Sequence, residues 1–82
     1  MRLARHKNFR KHFKTRILHN KNLVTKFEER LKLFRENPRN PVLKDHKLTG
    51  DMKDYRAFWV AGNVRVSYKI KGDTIELYDF TS

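Results

Sequence analysis

The sequence predicts a small α+β domain in which an N-terminal helical hairpin packs on a small, twisted antiparallel sheet. Two periodicities support this class. Apolar side chains recur every three or four residues through Phe34, as on one side of a helix, and from Tyr55 onward they alternate with the period of two that strands have. Between the two patterns, residues 38–54 are polar and contain Pro and Gly, which predicts an extended loop.

The length and composition of the chain limit what it can be. Its 82 residues suffice for one domain with a small core, and we expect that domain to span residues 1–82. The absence of cysteine excludes disulfides and thiolate metal sites. No apolar run approaches the roughly 20 residues that cross a bilayer, so a membrane is not among the expected partners.

Charge is the strongest compositional signal. Lys and Arg number 20 against 9 Asp and Glu, a formal net charge of +11. The excess is concentrated at the start of the chain, because residues 1–27 contain no acidic side chain. Such a segment favours phosphate backbones or an acidic protein as the partner, and charge alone does not distinguish the two.

The N-terminal elements follow from the apolar spacing. Leu3–His6 is expected to form a short strand, and Asn8 is the expected N-cap of a first helix. Phe9, Phe13 and Ile17 recur at intervals of four residues, which places them on one side of that helix. Basic residues occupy the other sides, so the aromatic stripe is expected to face the core.

A second helix follows the break at "LHNKN", with Asn20 or Asn22 as its N-cap. Its apolar side is formed by residues spaced three, four and three apart, namely Val24, Phe27, Leu31 and Phe34. The segment "ENPRNP" ends this helix, because the residue before a proline is disfavoured in the helical conformation. The two helices are predicted to form a hairpin with one shared apolar face.

Three strands are predicted after the loop, with tight turns at "AGN" and "KGD" between them. They are expected at residues 55–60, 64–70 and 74–80. The middle strand, "VRVSYKI", alternates apolar and polar residues, so one face of the sheet is apolar and the other is basic. This is the pattern of an antiparallel meander that helices cover on one face.

Neither a metal ion nor a cofactor is expected. The 4 histidines, His6, His12, His19 and His46, lack the spacing of a metal-binding motif, and the chain contains no glycine-rich phosphate loop and no nucleophile elbow. Any chemistry must therefore come from ordinary acidic, basic and cationic side chains.

The residues that could carry chemistry lie in the loop and in the hairpin after it. His46 precedes the turn into the sheet, and Lys53, Arg56 and Arg65 lie on or beside adjacent strands. Because paired strands are about 5 Å apart, Arg56 and Arg65 are expected to reach one phosphate group. A histidine beside clustered cations can move a proton and stabilise negative charge.

Aromatic residues in the same segment can stack an unpaired base. The candidates are Tyr55, Trp59 and Tyr68. The residues alone are also compatible with an ordinary solvated loop histidine and a core tryptophan.

The segments "DHKLTGDMKDYRAFWV" and "NVRVSYKIKGDTIELYDF" resemble the RelE/ParE superfamily of type II toxins, and they are most similar to its YafQ-like branch. The likeness is strong over residues 44–82 and weaker over the helical hairpin. It implies a RelE-like microdomain with two helices on a twisted antiparallel sheet. It also implies a cytoplasmic prokaryotic toxin that cleaves mRNA in the ribosomal A site without a metal ion, by attack of the 2′-hydroxyl on the adjacent phosphate.

The resemblance implies specific site residues. His46 matches the loop histidine of the YafQ-like active site, Arg56 matches a basic residue of the loop motif, and Arg65 matches the arginine before "V-x-Y". These three are the expected catalytic residues. The expected RNA-binding residues are Lys53, Trp59, Asn63, Tyr68, Arg10 and Lys14.

Two departures from the family pattern affect the expected activity. Trp59 occupies a position where the family usually has His or Arg, so it can stack a base but cannot supply a charge. The sequence ends at Ser82, where the family continues into a segment with a catalytic histidine. The domain is therefore expected to lack its C-terminal tail and to be weakly active or inactive.

The resemblance also implies partners, namely an acidic cognate antitoxin, the ribosome with its mRNA, and operator DNA reached only through the antitoxin. Two other functions stay open. One is a ParE-like toxin that acts without nuclease activity by binding a protein such as gyrase, and the presence of His46 in a YafQ-like loop argues against it. The other is a degenerate toxin that only binds its antitoxin.

Overall fold

The computed structural model describes residues 1–81. In chain order the elements are β1 (Arg2–Arg5), α1 (Lys7–His12), α2 (Lys21–Glu36), β2 (His46–Lys47), β3 (Arg56–Ala61), β4 (Val64–Lys71) and β5 (Thr74–Thr81). A π-helical turn over Phe13–Ile17 extends α1, and 3₁₀ turns occupy Pro41–Leu43 and Gly50–Met52. No helix within residues 1–81 is long and apolar enough to cross a membrane. The expectation about the end of the chain at Ser82 lies outside the described residues.

The strands form one sheet in the order β1-β5-β4-β3-β2. β3, β4 and β5 form the predicted antiparallel meander, β2 pairs antiparallel with β3, and β1 lies parallel to β5. Both helices pack on one face of this sheet, which confirms the predicted α+β class. The parallel pairing of β1 with β5 is a further finding, since the period of a short edge strand does not indicate its partner.

Side-chain caps determine where the helices begin. His6 caps α1, because its Nδ1 accepts a hydrogen bond from the Asn8 amide at 3.1 Å. The predicted cap at Asn8 is therefore wrong, and Asn8 lies inside the first turn as a donor. Asn20 caps α2 by accepting a 3.1 Å hydrogen bond from the Leu23 amide, which decides between the two predicted caps of that helix.

The core contains two groups of aromatic rings between the helices and the sheet. Phe34 of α2 packs on Phe58 of β3 and Tyr68 of β4, with ring centroids 4.7 and 4.8 Å away. The second group joins both helices to the end of β5 and consists of Phe9, Phe13, Phe27 and Phe80. Every residue of the two predicted apolar stripes is buried in this core or packs against it.

Two register shifts change how the sheet presents its side chains. Between β4 and β5, Ser67 pairs with Asp79 and Tyr68 pairs with Leu77, so Tyr78 is an extra residue in β5. A second shift lies between β3 and β4. Bulges of this kind bend a strand and re-aim the side chains beside them.

The contact of Phe34 with the sheet can be tested by truncation. Phe34 is fully buried, so Phe34→Ala is expected to lower the free energy of unfolding by about 3–5 kcal/mol through lost burial and the cavity that remains. Urea unfolding followed by circular dichroism measures the change in the free energy of unfolding. A variant that shows no cooperative unfolding transition would also confirm that Phe34 stabilises the fold.

Leu18→Ala is the matched control, because Leu18 is 51% exposed and its truncation is expected to cost less than about 0.5 kcal/mol. If Phe34→Ala costs no more than this control, the Phe34 ring does not hold α2 on the sheet.

Candidate functional site

The face of the sheet opposite the helices carries a row of predicted and unpredicted polar groups. His46 pairs with Ala57 and Ala57 pairs with Ser67, so their side chains share one face. Arg65 lies two residues from Ser67 on β4 and therefore lies on the same face. The helices pack on the other face, and we call this one the open face.

His46 is exposed on the open face, and the turn before it holds its ring. Lys44 has a positive φ of 48°, after which the chain pairs with β3. The Nδ1 of His46 lies 3.0 Å from the Lys44 carbonyl oxygen, so Nδ1 donates and carries a hydrogen. In the neutral ring this leaves Nε2 as the nitrogen that can accept a proton.

Asp45 lies on the opposite side of this extended segment, since successive residues alternate between faces. Its carboxylate is 6% exposed, and it accepts a 2.7 Å hydrogen bond from Arg56 Nε and another from the Tyr68 hydroxyl. We call these three residues the Asp45 cluster. The cluster holds the loop against the sheet one residue before His46.

Burial and hydrogen bonding shift the pKa values inside the Asp45 cluster. Burial, and after it the hydrogen bond to Asp45, raises the pKa of Tyr68 well above its usual 10.0. The hydrogen bond to Asp45 also raises the pKa of the Arg56 guanidinium above its ordinary value. Arg56 therefore stays charged and Tyr68 keeps its proton over the physiological pH range.

The structure separates two arginines that the sequence predicts to act together. Arg56 pairs across the strands with Tyr68, and Arg65 pairs with Trp59, which lies three positions after Arg56 on β3. An odd offset places the two arginine side chains on opposite faces of the sheet. The prediction that Arg56 and Arg65 reach one phosphate is therefore wrong, and Arg56 belongs to the Asp45 cluster.

Tyr68 is not available for the RNA contact predicted for it. The residue is 2% exposed, its ring packs on Phe34, and its hydroxyl is bonded to Asp45. The prediction that Tyr68 stacks a base is therefore wrong. The alternation of β4 indicates this outcome, because it places Tyr68 in the apolar row with Val66.

The remaining residues predicted in the loop and hairpin lie at the surface. Trp59 is partly exposed, its Nε1 donates to the Gly62 carbonyl at 2.7 Å, and Lys44 Nζ lies 4.9 Å from its ring centroid. Asn63 is exposed in the turn between β3 and β4, and Lys53 is exposed in the loop before β3. Of these residues, Trp59 lies directly opposite Arg65 on the neighbouring strand.

Arg10 and Lys14 lie on the helical side of the molecule. They border a groove of about 360 Å³ between α1 and α2, which we call the helical groove. The floor of this groove is apolar and consists of Phe9, Phe13, Val24, Phe27 and Leu31. The residues predicted to bind RNA are therefore divided between the helical groove and the sheet.

A hydrogen bond between His12 and Asp79 is a site feature that the sequence does not indicate. His12 Nδ1 lies 2.5 Å from Asp79 Oδ1, both side chains are 21% exposed, and the carboxylate also accepts from the Phe80 amide at 2.7 Å. The pair joins the end of α1 to the end of β5, which lies three strands away from β2, the strand that carries His46. Because the two residues are 67 positions apart, no local spacing indicates the contact.

The open face combines a base and a cation. His46 presents Nε2, and Arg65 is exposed beside Trp59. Within residues 1–81, no group of 3 or more His, Asp or Glu side chains is placed to hold a metal ion. The arrangement suits acid–base chemistry on an anionic substrate.

Comparison with protein families gives one match over the whole chain. A family model described as the bacterial toxin of the type II toxin–antitoxin system, YafQ, matches residues 1–82. No curated protein matches the chain by sequence.

Solved structures share the fold. The conserved hypothetical protein HP0894 from Helicobacter pylori is 28% identical with a TM-score of 0.72, over 100% of this chain and 93% of that one. A chain of the E. coli DinJ–YafQ complex is 22% identical with a TM-score of 0.79, over 100% and 93% of the two chains. A YoeB/ParE toxin from Agrobacterium tumefaciens is 18% identical with a TM-score of 0.81, over 98% and 95%.

The Asp45 cluster predicts how stability changes in alkaline solution. The unfolded chain loses the Tyr68 proton near pH 10.0, whereas the folded chain, in which the pKa is raised, keeps it. The contribution of the Tyr68 proton to the free energy of unfolding is therefore fully present below pH 10 and decreases as the pH rises above 10. Tyr68→Phe removes this dependence, so the stability gap between native chain and variant is expected to narrow by about 1 kcal/mol between pH 9 and 11.

Urea unfolding at several pH values measures the gap. At neutral pH Tyr68→Phe is expected to cost about 1–2 kcal/mol, because the buried Asp45 carboxylate loses a donor. Tyr55→Phe is the matched control for the loss of a phenol hydroxyl outside the Asp45 cluster. A Tyr68→Phe gap that stays constant from about pH 9 to 11 would contradict the linkage.

Proposed function

Since the chain belongs to the YafQ family of toxins of bacterial type II toxin–antitoxin systems, we propose that it is a cytoplasmic endoribonuclease that cleaves mRNA on the ribosome. The observation that carries this proposal is the orientation of His46 on the open face. The ring is exposed, its Nδ1 is bonded to a carbonyl oxygen, and its Nε2 can take a proton from a substrate.

The proposed reaction uses no metal ion. Nε2 of His46 takes the proton of a ribose 2′-hydroxyl, and the 2′-oxygen attacks the adjacent phosphorus. The bond from phosphorus to the 5′-oxygen breaks, an acid protonates the departing oxygen, and a 2′,3′-cyclic phosphate remains on the upstream RNA. The attack adds negative charge to the phosphate oxygens, and Arg65 stabilises that charge.

The spacing of the strands supports these roles. One strand separates β2 from β4, and Arg65 lies two residues along β4 from Ser67, which is in line with His46, so the backbones that carry His46 and Arg65 are roughly 12 Å apart. The long arginine side chain covers part of this distance and leaves room for a ribose and its phosphate. Trp59 lies on the intervening strand, but its ring is contacted by the Arg30 guanidinium of α2 and by Lys44 Nζ, each 4.9 Å from the ring centroid, so we assign it no base.

We assign Arg56 a positioning role. Its guanidinium is bonded to Asp45, and the pair lies on the side of the sheet that the helices cover. Because Asp45 is held there, the next residue, His46, lies on the open face. A change at Arg56 would thus act on cleavage through the position of His46.

We assign the helical groove to an acidic, amphipathic segment of the antitoxin. The apolar floor would bury one side of such a segment, and Arg10 and Lys14 would pair with its carboxylates. The E. coli DinJ–YafQ complex supports an antitoxin partner. Operator DNA would be reached through the antitoxin. If the same cations contact ribosomal RNA, binding of the antitoxin and of the ribosome exclude each other.

Substitution of the proposed base tests the nuclease. His46→Gln is expected to lower cleavage of ribosome-bound mRNA by about 100-fold or more, because the general base is lost. Arg65→Gln is expected to lower it by about 100-fold, because the developing charge loses its cation. Primer extension on mRNA in purified ribosomes measures the cuts. Lys47→Gln is the matched control, since Lys47 is exposed beside His46 but pairs with Arg56.

Three results would contradict the proposal. Equal cleavage by the native chain and His46→Gln would exclude His46 as the base. Inhibition of gyrase supercoiling with mRNA left intact, assayed in parallel, would favour the ParE-like alternative. An effect on neither target, with the antitoxin still bound, would identify a chain that only binds its antitoxin.

Neutralising the cations of the helical groove tests whether they contact ribosomal RNA. Arg10→Gln with Lys14→Gln is expected to weaken ribosome binding and to lower the slope of log affinity against log salt by about 2, because each phosphate contact contributes about 1. Lys21→Gln with Lys26→Gln is the matched control, because it removes the same charge from exposed positions of α2. Equal losses of ribosome affinity in the two double variants would show that binding depends on the net charge of the chain and not on contacts made by Arg10 and Lys14.

A further inference from the structure

Three aromatic rings form a row on the open face. Tyr78 of β5 lies between His6 and Tyr55, with ring centroids 4.7 Å from the first and 4.8 Å from the second. Lys69 of β4 places its Nζ 5.6 Å from the centroid of the Tyr55 ring. We call these four residues the aromatic row. The reaction proposed above uses none of them.

The strand arrangement explains why the rings meet. Tyr78 is the extra residue of the bulge in β5, and a bulge re-aims its side chain. β4 lies between β5 and β3, which begins directly after Tyr55, so the two rings approach each other above β4. On that face β4 carries Ser67, whose small side chain is fully buried and leaves room for the rings above it.

The aromatic row is an outer layer of the molecule. The aromatic core that joins helices to sheet lies on the other face, around Phe34. His6, Tyr55 and Tyr78 are each partly exposed, whereas Ser67 below them is not. The open face therefore presents ring surface to solvent next to an ammonium group.

This combination matches the chemistry of an unpaired nucleotide. Bases stack on aromatic rings whatever their identity, and lysine pairs with the phosphate that follows. Antiparallel sheets that carry exposed rings on neighbouring strands bind single-stranded RNA in this way. A duplex keeps its bases stacked inside and cannot offer them to the rings.

The aromatic row is also continuous with the proposed reaction site. Lys69 lies four residues from Arg65 on the same side of β4, roughly 13 Å along the strand. One RNA strand can therefore pass over both residues. We infer that the aromatic row is a base-stacking subsite for single-stranded RNA, which holds nucleotides of the mRNA that neighbour the cleaved one.

The inference rests on the proposed function for the identity of the RNA, but the binding that it predicts requires neither the ribosome nor cleavage. Fluorescence anisotropy with a short labelled single-stranded RNA measures it directly. Tyr55→Leu and Tyr78→Leu are each expected to weaken binding about tenfold, because a stacked base loses its ring. Tyr55→Phe and Tyr78→Phe keep the ring and are expected to bind within about twofold of the native chain.

RNA with abasic sites separates stacking from damage to the fold. The native chain and Tyr78→Leu are expected to bind abasic RNA with equal affinity, because neither can stack a missing base. Lys69→Gln is expected to lower the salt slope for intact RNA by about 1, because one phosphate contact is lost. A duplex of the same sequence is expected to bind the native chain and the leucine variants alike.

Failure of this inference is distinguishable from failure of the nuclease proposal. Loss of affinity for single-stranded RNA in the leucine variants would support the inference whether or not the native chain cleaves mRNA. Unchanged affinity in both leucine variants, or equal losses for intact and abasic RNA, would overturn the inference. Leucine variants that keep RNA affinity but lose the antitoxin would overturn it too, because the row would then be a protein interface.

Discussion

The burial of the Asp45 carboxylate determines how the loop before the sheet is presented. A carboxylate that is 6% exposed needs hydrogen bonds in place of water, and Arg56 and Tyr68 supply them from two neighbouring strands. Leaving such an acceptor without a partner costs about 1–3 kcal/mol. With Asp45 fixed towards the helices, alternation directs His46 towards the open face. A structural ion pair thus sets the direction of a candidate catalytic group that it does not touch.

Local periodicity was enough to predict the helices and the meander, because burial follows the period of each element. The spacing of Phe27 and Phe34 identifies the side of α2 that packs on the sheet, and both residues are buried. Periodicity carries less information about the ends and partners of elements. His6 caps α1 with a ring nitrogen, a role for which asparagine is the more common residue. β1 pairs with β5 from the other end of the chain, and no local pattern encodes that choice.

The candidate site was harder to predict, because residue types do not fix strand register. Arg56 has the charge expected of a phosphate contact, but its offset from the Trp59–Arg65 pair places it on the covered face. The bulge in β5 also changes which face of the sheet a side chain occupies. Leu77 and Phe80 are both buried although an odd number of positions separates them, and a regular strand does not allow this. The extra residue, Tyr78, shifts the alternation by one position, so Leu77 and Phe80 can both face the core. The ring of Tyr78 itself lies beside Tyr55.

The two surfaces of the molecule suit different stages of RNA recognition. Contacts between lysine or arginine and phosphate act over a distance and weaken as salt is added, whereas stacking on an aromatic ring acts only on contact. The cationic N-terminal helices can therefore steer the domain to an RNA-rich particle, while the open face selects strands whose bases are unpaired. A domain of 82 residues can hold both surfaces because both of its helices pack on the same face of one sheet. That packing leaves the other face, with His46 and the aromatic row, in contact with solvent.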